Sequence, residues 1–540
     1  MVEVLMESGG QEVAIAESGG SRAETPTECT PKVTHISPTT MNFSPLQEFY
    51  AGQTIFITGG TGFLGKLLID KLLRCCPGIK FIYLLVRPKK GKDVYQRVEN
   101  LIDDPLFARL KEEVPKFRHQ IGAVAGDCST PGLGISAADR ATLAREVSIV
   151  FHVAATVRFD EKLKLAVSIN VQSLKDVLTL CKEMPKLKSV IHVSTAYANC
   201  PQDTIDEKFY EPPIQANKLI AMMDCLNEKL IDDITPQLLG KWPNTYAYTK
   251  AVAENVVKEE AEDLPIGIFR PAIVISTYQE PIRGWIDNMY GPTGVAAGAG
   301  TGLLRSIHCD GSIHANVVPG DMAVNALIAS AWDVASTQRQ GKDAIDIPIY
   351  NYVCNENQIT YNQLKEMSAK HGISIPTNKA IWYYSFRNNK YKIVHLFYVY
   401  FLHLLPALLI DTATLCVGKQ PSLLKIYKKI HKFMAVLNYF TTKEWKFTNN
   451  RVKAMIEKLT PEDQKNFYFD IKKIVWDTYF QTYMQGIRVY LIKDPLDTLP
   501  QARVKWQRMY WIHQATKFLL LYVFIRISWA AISAILSYTV

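Results

Sequence analysis

Residues 53–65 read QTIFITGGTGFLG, and this segment decides the fold. Its first six residues form a short apolar strand, and a helical run from Phe63 to Cys75 follows the glycine-rich turn. Gly59, Gly62 and Gly65 have the spacing G-x-x-G-x-x-G. In a strand–turn–helix unit these glycines permit a tight turn, close approach to a pyrophosphate and close packing of helix on strand. The segment therefore predicts a dinucleotide-binding unit, although an ordinary glycine-rich turn would look similar.

Further apolar runs alternate with helical patterns along the chain. The runs are Phe81 to Val86, Gly122 to Ala125, Ile149 to Val153, Val190 to Ser194, Ile266 to Ile275 and Ile347 to Val353. Nearly continuous apolar strands that alternate with helices predict a parallel sheet covered on both faces. We therefore expect an α/β fold with a Rossmann-type, doubly wound parallel sheet. Residues 205–240 look like a helical insert that builds a substrate lobe.

The end of the second strand indicates which dinucleotide binds. An Asp or Glu about 20 residues after the glycines would bind the ribose 2′-hydroxyl of NAD. Here the strand ends in Val86-Arg87-Pro88-Lys89-Lys90, with three cations and no acid. This pattern favours the 2′-phosphate of NADPH, and the alternative is a solvated basic loop.

Tyr246 and Lys250 form a Tyr-x-x-x-Lys pair. On a helix the two side chains share a face, and an ammonium beside a phenol is expected to lower the pKa of the Tyr. Tyr246 is thus the candidate proton donor. Tyr361 with Lys365 has the same spacing but follows the nucleotide-binding core, and Tyr248 is expected to face elsewhere.

Ser194 and Thr195 follow a predicted strand. Ligands of open α/β sheets bind at the carboxyl ends of the strands, so a hydroxyl here is a candidate for binding the substrate. A Ser-Thr pair that merely ends a strand is the structural alternative.

Composition and charge exclude several classes of protein. Hydrophobic residues make up 48% and charged residues 21% of the 540 residues, which excludes a collagen, a wholly disordered chain and a polytopic transporter. A net charge of +9 on a chain this long is too small to indicate nucleic-acid binding. A membrane surface is the better candidate for a partner of the basic residues. The ten Cys match no zinc site, so we expect reduced thiols and no metal.

Two strongly apolar stretches lie in the C-terminal part. Phe518 to Tyr538 has Arg526 as its sole charge and is long enough to span a bilayer, which needs about 20 apolar residues. Residues 391–410 contain Lys392 and Pro406 and fit a span poorly. The cations just before Phe518 to Tyr538 are Arg503, Lys505, Arg508 and Lys517. By the positive-inside rule we expect one C-terminal anchor with a cytosolic catalytic part, and a buried or interfacial helix at 391–410; a core helix at 518–538 is the alternative.

Eight motifs together resemble the insect-type fatty acyl-CoA reductases, which are extended short-chain dehydrogenase/reductases (SDRs). They are T-G-G-T-G-F-L-G at 58–65, V-R-P-K-K-G at 86–91, G-D-C-S at 126–129, F-H-V-A-A-T-V-R-F-D at 151–160, H-V-S-T-A-Y-A-N at 192–199, K-W-P-N-T-Y-A-Y-T-K at 241–250, R-G-W-I-D-N at 283–288 and V-V-P-G-D-M at 317–322. The resemblance covers residues 50–515. It implies an NADP-binding extended SDR domain at 49–354 and a helical C-terminal domain at 355–515. Composition rich in Glu, Ser, Gly and Thr predicts a disordered segment at 1–48, and the apolar stretch predicts a membrane anchor at 516–540.

The resemblance also implies roles for individual residues. The implied cofactor contacts are Gly59, Thr61, Gly62, Phe63, Leu64 and Gly65 at the pyrophosphate, Arg87 at the 2′-phosphate, Asp127 and Cys128 at the adenine, Ala154 and Ala155 beside the cofactor, and Pro271 near the nicotinamide. Tyr246 would be the acid, Lys250 would also hold the ribose, and Thr195 would bind the substrate oxygen with Ser194 as substitute. Asn170 would serve a proton relay or a structural role.

The implied activity is the NADPH-dependent reduction of long-chain fatty acyl-CoA to the fatty alcohol through an aldehyde, with release of CoA. The alternatives are a membrane-bound extended SDR that acts on a sterol or on fatty aldehyde only, and a non-catalytic NADP-binding scaffold. The resemblance suggests the endoplasmic reticulum, with the peroxisome as alternative, although the terminal Ser537-Tyr538-Thr539-Val540 is not a peroxisomal S-K-L signal. The oligomeric state stays open.

Overall fold

The computed structural model describes residues 43–88, 91, 93–338 and 347–539. Its strands are β1 Thr54–Thr58, β2 Phe81–Val86, β3 Ile121–Ala125, β4 Ile149–His152, β5 Ser189–Val193, β6 Thr204–Ile205, β7 Ile266–Pro271, β8 Ile273–Ile275, β9 Ser306–His308, β10 Val317–Pro319, β11 Ile349–Tyr352, β12 Arg387–Asn389 and β13 Lys446–Phe447. Seven of them form a parallel sheet in the order β11-β7-β5-β4-β1-β2-β3. The predicted doubly wound sheet is confirmed, and its strand order reverses between β1 and β4, where such folds bind ligands.

Twelve α-helices precede residue 340 in the part of the chain that the structure describes. They are α1 Pro45–Tyr50, α2 Phe63–Cys75, α3 Val94–Ile102, α4 Ala108–Glu113, α5 Ala137–Glu146, α6 Leu163–Val167, α7 Ser173–Lys182, α8 Ala216–Cys225, α9 Glu228–Leu239, α10 Thr245–Glu260, α11 Gly291–Gly300 and α12 Gly320–Gln338. The sheet is buried on both faces: Ile55 and Ile57 of β1 join one hydrophobic core, whereas Phe56 between them joins a second. This alternation explains why β1 is apolar at every position. Helices α8 and α9 occupy the predicted insert.

Eight helices follow in the C-terminal part. They are α13 Tyr361–Ser374, α14 Lys392–Tyr398, α15 Leu405–Cys416, α16 Leu423–Thr442, α17 Asn450–Lys458, α18 Pro461–Asn466, α19 Trp476–Gly486 and α20 Leu499–Thr539. Short strands join this part to the first: β13 pairs with β6, and β12 pairs with β9. The domain boundary at residue 354 stays a prediction, since these pairs interlock the two parts.

The expected disorder of residues 1–48 was wrong at its C-terminal end. Pro45–Tyr50 is a helix whose N-cap, Ser44, forms a capping box with Gln47. Leu46 and Tyr50 are fully buried, and the Tyr50 hydroxyl donates a hydrogen bond to the carbonyl of Ile328. The segment is therefore part of the core. Residues 1–42 lie outside the described residues.

Among the described residues, two helical segments are long and apolar enough to cross a membrane, judged by length and composition. They are Lys392–Cys416, in which α14 and α15 join through a π-helical turn, and Leu496–Leu536. Large apolar side chains in both are exposed, with Phe518 at 72% and Ile393 at 83%. Of the two alternatives expected for residues 391–410, the buried helix is wrong, because one face of this helix is exposed. The interfacial helix stays a prediction.

Candidate active site

The glycine-rich turn lies at the carboxyl end of β1. Gly59 has φ +73°, and a Cβ added there would lie 2.7 Å from the backbone nitrogen of Ala154. A Cβ on Gly65 would lie 2.2 Å from the carbonyl oxygen of Gly59. The N-cap of α2, Gly62, has no side chain to bond to the first N–H groups of the helix. The turn thus presents helix N–H groups at a backbone surface without side chains, which fits a pyrophosphate.

Cationic and polar groups lie at the ends of β2 and β3. The Arg87 side chain is 64% exposed, and its Nε lies 3.7 Å from the Asp127 carboxylate. Arg97, which the sequence analysis missed, donates a hydrogen bond to the Arg87 carbonyl. Burial raises the pKa of the neighbouring Cys128 thiol to about 12, so it is a neutral wall residue. Lys89 and Lys90 lie outside the described residues.

Tyr246 and Lys250 lie in the first turns of α10, whose N-cap, Asn244, accepts a hydrogen bond from Ala247. Burial raises the pKa of Tyr246 to about 12, and the Thr195 hydroxyl next to it opposes that rise. Burial lowers the pKa of Lys250 to about 8, and its Nζ donates a 2.7 Å hydrogen bond to the Val193 carbonyl.

The prediction that Lys250 lowers the pKa of Tyr246 is therefore wrong for the protein without bound ligand. Lys250 is buried and Tyr246 is half-buried in the cavity wall, and desolvation of the phenol outweighs any help from the ammonium. At neutral pH the Tyr246 phenol keeps its proton and Lys250 keeps its charge, because pH 7 lies below both pKa values.

The two adjacent hydroxyls have different surroundings. Ser194 donates a 2.6 Å hydrogen bond to Glu254, which also forms a buried ion pair with Arg270 at 2.7 Å. Thr195, in contrast, lies beside the Tyr246 phenol. Ser194 is thus committed to a buried polar network, and Thr195 is the hydroxyl available at the candidate site.

The other candidate residues divide between the site and its surroundings. Tyr248 is buried in the second core, as expected, and packs edge-on against Trp242. Asn170 is fully buried; it accepts a hydrogen bond from the Thr156 N–H at 2.9 Å and donates to the Thr249 hydroxyl. These bonds join three segments and fit the structural alternative for Asn170.

Tyr361 lies closer to the site than expected. It lines the same cavity as Tyr246, although its hydroxyl donates to the Phe440 carbonyl at 3.3 Å. The helix that carries it, α13, packs next to α11 and α19 rather than apart from the nucleotide-binding half. Sequence position alone gave no sign of this proximity.

One cavity of about 1820 Å³ joins these groups. Its lining includes every cofactor contact and the catalytic group implied by the resemblance: Gly59, Thr61, Gly62, Phe63, Leu64, Gly65, Arg87, Asp127, Cys128, Ala154, Ala155, Ser194, Thr195, Tyr246, Lys250 and Pro271. Beyond Tyr246 the cavity continues between α11, α13 and α16 and reaches Met484 and Trp506. Apolar residues dominate that extension, with Val295, Leu364 and Phe433 as examples. The arrangement places Tyr246, the candidate proton donor, between the glycine-rich cleft and an apolar chamber.

The close approach at Gly59 gives a testable prediction. Gly59→Ala should weaken nicotinamide-cofactor binding and lower the melting temperature, because the added methyl displaces the Ala154 backbone. Gly52→Ala is the matched control, since Gly52 has φ +71° and open space around its Cβ. The control should cost about 1–2 kcal/mol of backbone strain and leave binding intact. Cofactor titration by fluorescence and thermal unfolding measure both effects, and equal binding losses in the two variants would contradict the prediction.

Comparison with known proteins agrees with this geometry. Two family models, both described as male sterility protein, match residues 57–327 and 402–494, the first being an NAD-binding domain. The reductase domain of a nonribosomal peptide synthetase from Mycobacterium tuberculosis shares the fold, with a TM-score of 0.54 and 20% identity over 83% of this chain and 96% of that one. The terminal R domain of the myxalamid pathway has a TM-score of 0.53 and 17% identity over 81% and 91%.

Two curated relatives match over nearly their full length. Fatty acyl-CoA reductase wat of Drosophila melanogaster is 45% identical over 88% of this chain and 90% of its own. Fatty acyl-CoA reductase 1 of Rattus norvegicus is 37% identical over 85% and 88%. The Rossmann-type sheet and the matched NAD-binding region agree with this level of identity. The chain belongs to the fatty acyl-CoA reductase family.

Proposed function

We propose that this protein reduces long-chain fatty acyl-CoA to the fatty alcohol with NADPH, through an aldehyde. One observation carries the proposal: Tyr246, Lys250 and Thr195 lie where the glycine-rich cleft meets the apolar chamber, within one cavity. The names of the relatives support the substrate class. The apolar lining of the chamber between α10 and Trp506 suits an acyl chain.

A nicotinamide bound in the cleft supplies a hydride to the thioester carbonyl and, in a second round, to the aldehyde. The protein's part is positional and electrostatic. Thr195 and Tyr246 donate hydrogen bonds to the oxygen that gains negative charge, which is preorganised stabilisation. Collapse of the resulting adduct breaks the C–S bond and releases CoA as the thiolate. In the second reduction Tyr246 gives its proton to the alkoxide, and Lys250 stabilises the phenolate that remains.

Purified protein should convert acyl-CoA thioesters plus NADPH into free CoA thiol and alcohol. A ladder of acyl chain lengths, analysed for both products, tests this directly. Two molecules of NADPH should be consumed for each molecule of CoA released when alcohol is the product. Reduction of fatty aldehyde without any CoA release from acyl-CoA would instead identify an aldehyde reductase.

The role of Tyr246 gives a second prediction. Tyr246→Phe keeps the ring and removes the proton, so kcat should fall by about 10²–10⁴-fold while NADPH binding is retained. Tyr361→Phe is the matched control, because Tyr361 lines the same cavity and its hydroxyl already bonds to a backbone carbonyl. Steady-state kinetics and a binding titration compare the two variants. Loss of turnover in Tyr361→Phe with retention in Tyr246→Phe would mean that the other tyrosine is the donor.

Cofactor preference gives a third prediction. Arg87 is exposed at the end of β2, beside Arg97, and we propose that it binds the 2′-phosphate. Arg87→Asp should raise the KM for NADPH about 10-fold or more, because a charge-assisted hydrogen bond is lost and a like charge faces the phosphate. The KM for NADH should change far less. Arg145→Asp, at an equally exposed position on α5, is the control, and equal use of both cofactors by the unmodified protein would contradict the assignment.

We further propose that residues 518–538 anchor the protein in the endoplasmic reticulum membrane, with the catalytic part in the cytosol. Helix α20 changes character along its length: Trp506 is buried and His513 accepts a hydrogen bond from the Trp382 indole, whereas the large apolar side chains between Phe518 and Leu536 are exposed. The N-terminal part of α20 packs on the protein, and its C-terminal part is apolar and exposed. This division supports a membrane anchor that is directly continuous with the catalytic part.

Truncation after Gln514 tests the anchor. The cut retains Trp506 and His513, so the truncated protein should fold and should become extractable from membranes by carbonate. The full-length protein should stay in the carbonate pellet. A truncated protein that still resists extraction would show that a second segment is integral.

A further inference from the structure

The helix Lys392–Cys416 lies along the surface of the protein with one face inward. Its inward residues recur every fourth position: Val399, His403, Ala407 and Asp411 are all buried. The Arg305 backbone N–H donates a 3.0 Å hydrogen bond to His403 Nε2. Contacts of this kind, spaced along the helix, hold it flat on the catalytic part.

Its outward face is apolar and uncovered. Ile393 is 83% exposed, Phe397 58% and Leu409 62%. Between residues 393 and 418 the sequence contains one charged residue, Asp411, which is turned inward and accepts hydrogen bonds from the N–H groups at 422–424. A continuous exposed apolar face of this size marks an interaction site for another protein or for a membrane.

The chain then reverses, and the following helix, α16, is strongly basic. Its lysines stand at i, i+3, i+4 and i+7, which places them on one face: Lys425, Lys428, Lys429 and Lys432. Lys432 pairs with Asp160. Among the described residues no carboxylate lies within salt-bridge distance of the other three. With Arg387, Lys390, Lys392, Lys419 and Lys443, residues 387–443 contain nine cations against one acid.

We propose that this helical hairpin, residues 392–432, docks into the surface of an anionic phospholipid leaflet. The apolar face of Lys392–Cys416 enters the boundary between headgroups and acyl chains, and the lysines of α16 contact lipid phosphates. An apolar helix face bordered by lysines is the pattern of interfacial helices. This second membrane contact is distinct from the α20 anchor and does not depend on the reaction that the protein catalyses.

The packing argues against a span by the same helix. If Lys392–Cys416 crossed the bilayer, α16 would have to return through it with Lys425, Lys428 and Lys429, which is unfavourable in hydrocarbon. In the structure α16 instead packs on the catalytic part through Met434 and Leu437. The hairpin therefore lies on the same side of the membrane as the active-site cavity.

The hairpin also borders that cavity. Lys429, Lys432, Phe433 and Val436 of α16 line it, together with Phe386 just before the hairpin. Docking would bring the cavity wall to the leaflet, where a lipid-like substrate is concentrated.

Depth-dependent fluorescence quenching in the full-length protein tests the proposal. Cys225 and Cys416, the two thiols exposed among the described residues, and Cys29, which lies outside them, are changed to Ser, and a single NBD probe is attached through Leu409→Cys. The protein is reconstituted in phosphatidylcholine vesicles with phosphatidylserine, which carry a doxyl quencher near the headgroup or at the chain end. The Leu409 probe should be quenched mainly by the headgroup-proximal doxyl. A probe at Tyr95→Cys, 65% exposed on α3, is the control and should not be quenched.

Charge is tested separately with Lys425, Lys428 and Lys429 changed to Gln. This variant should lose the difference in Leu409 quenching between vesicles with and without phosphatidylserine. A triple change of exposed lysines in the nucleotide-binding half, Lys111, Lys116 and Lys186 to Gln, should retain it. These readouts do not involve turnover, so an inactive enzyme would overturn the proposed function and leave the docking result standing.

Three outcomes would overturn docking. Absence of quenching of the Leu409 probe by either doxyl lipid would show that the apolar face of Lys392–Cys416 is exposed to water. Stronger quenching by the chain-end doxyl would indicate a spanning helix. Cross-linking between copies through Leu409→Cys, without quenching, would show that a second copy of the chain covers the face.

Discussion

The active site depends on one buried ion pair. Arg270 is fully buried at the end of β7, and its guanidinium binds both carboxylate oxygens of Glu254 on α10, at 2.8 and 2.7 Å. Its remaining N–H groups donate to the carbonyls of Asp206 and Lys208, where the insert begins. Glu254 in turn accepts from Ser194. Removing one partner of such a pair costs about 3–5 kcal/mol, because it leaves an uncompensated buried charge.

That pair connects the elements that carry the candidate catalytic groups. Helix α10 presents Tyr246 two turns and Lys250 one turn before Glu254, and Ser194 immediately precedes Thr195. The Lys250 ammonium is fixed by the Val193 carbonyl on the same strand. The relative position of phenol, ammonium and hydroxyl is therefore set by polar bonds to buried partners within the protein. An active site built in this way is preorganised before substrate arrives.

The parallel sheet and the location of the site could be predicted from local pattern. Apolar runs such as Phe81–Val86 mark buried strands, and the carboxyl ends of parallel strands meet at one edge, which brings Thr195 near the glycine turn. Two features could not be predicted in this way. The raised pKa of Tyr246 reflects burial by the whole fold, and the division of labour between Ser194 and Thr195 depends on Glu254, 60 residues away. Helix α1, in contrast, had a local signal, the Ser44–Gln47 capping box, that the sequence analysis overlooked.

Helix α20 is continuous from Leu499 to Thr539, without a break between the cavity and its apolar end. At a rise of about 1.5 Å per residue, Phe518 lies about 18 Å along the axis from Trp506, which is a wall residue of the cavity. An uninterrupted helix of this length behaves as a stiff rod. Under the proposed anchoring, any tilt that the thickness of the lipid imposes on residues 518–536 would be transmitted mechanically to Trp506, so that the chamber and the bilayer would be geometrically coupled without a flexible tether.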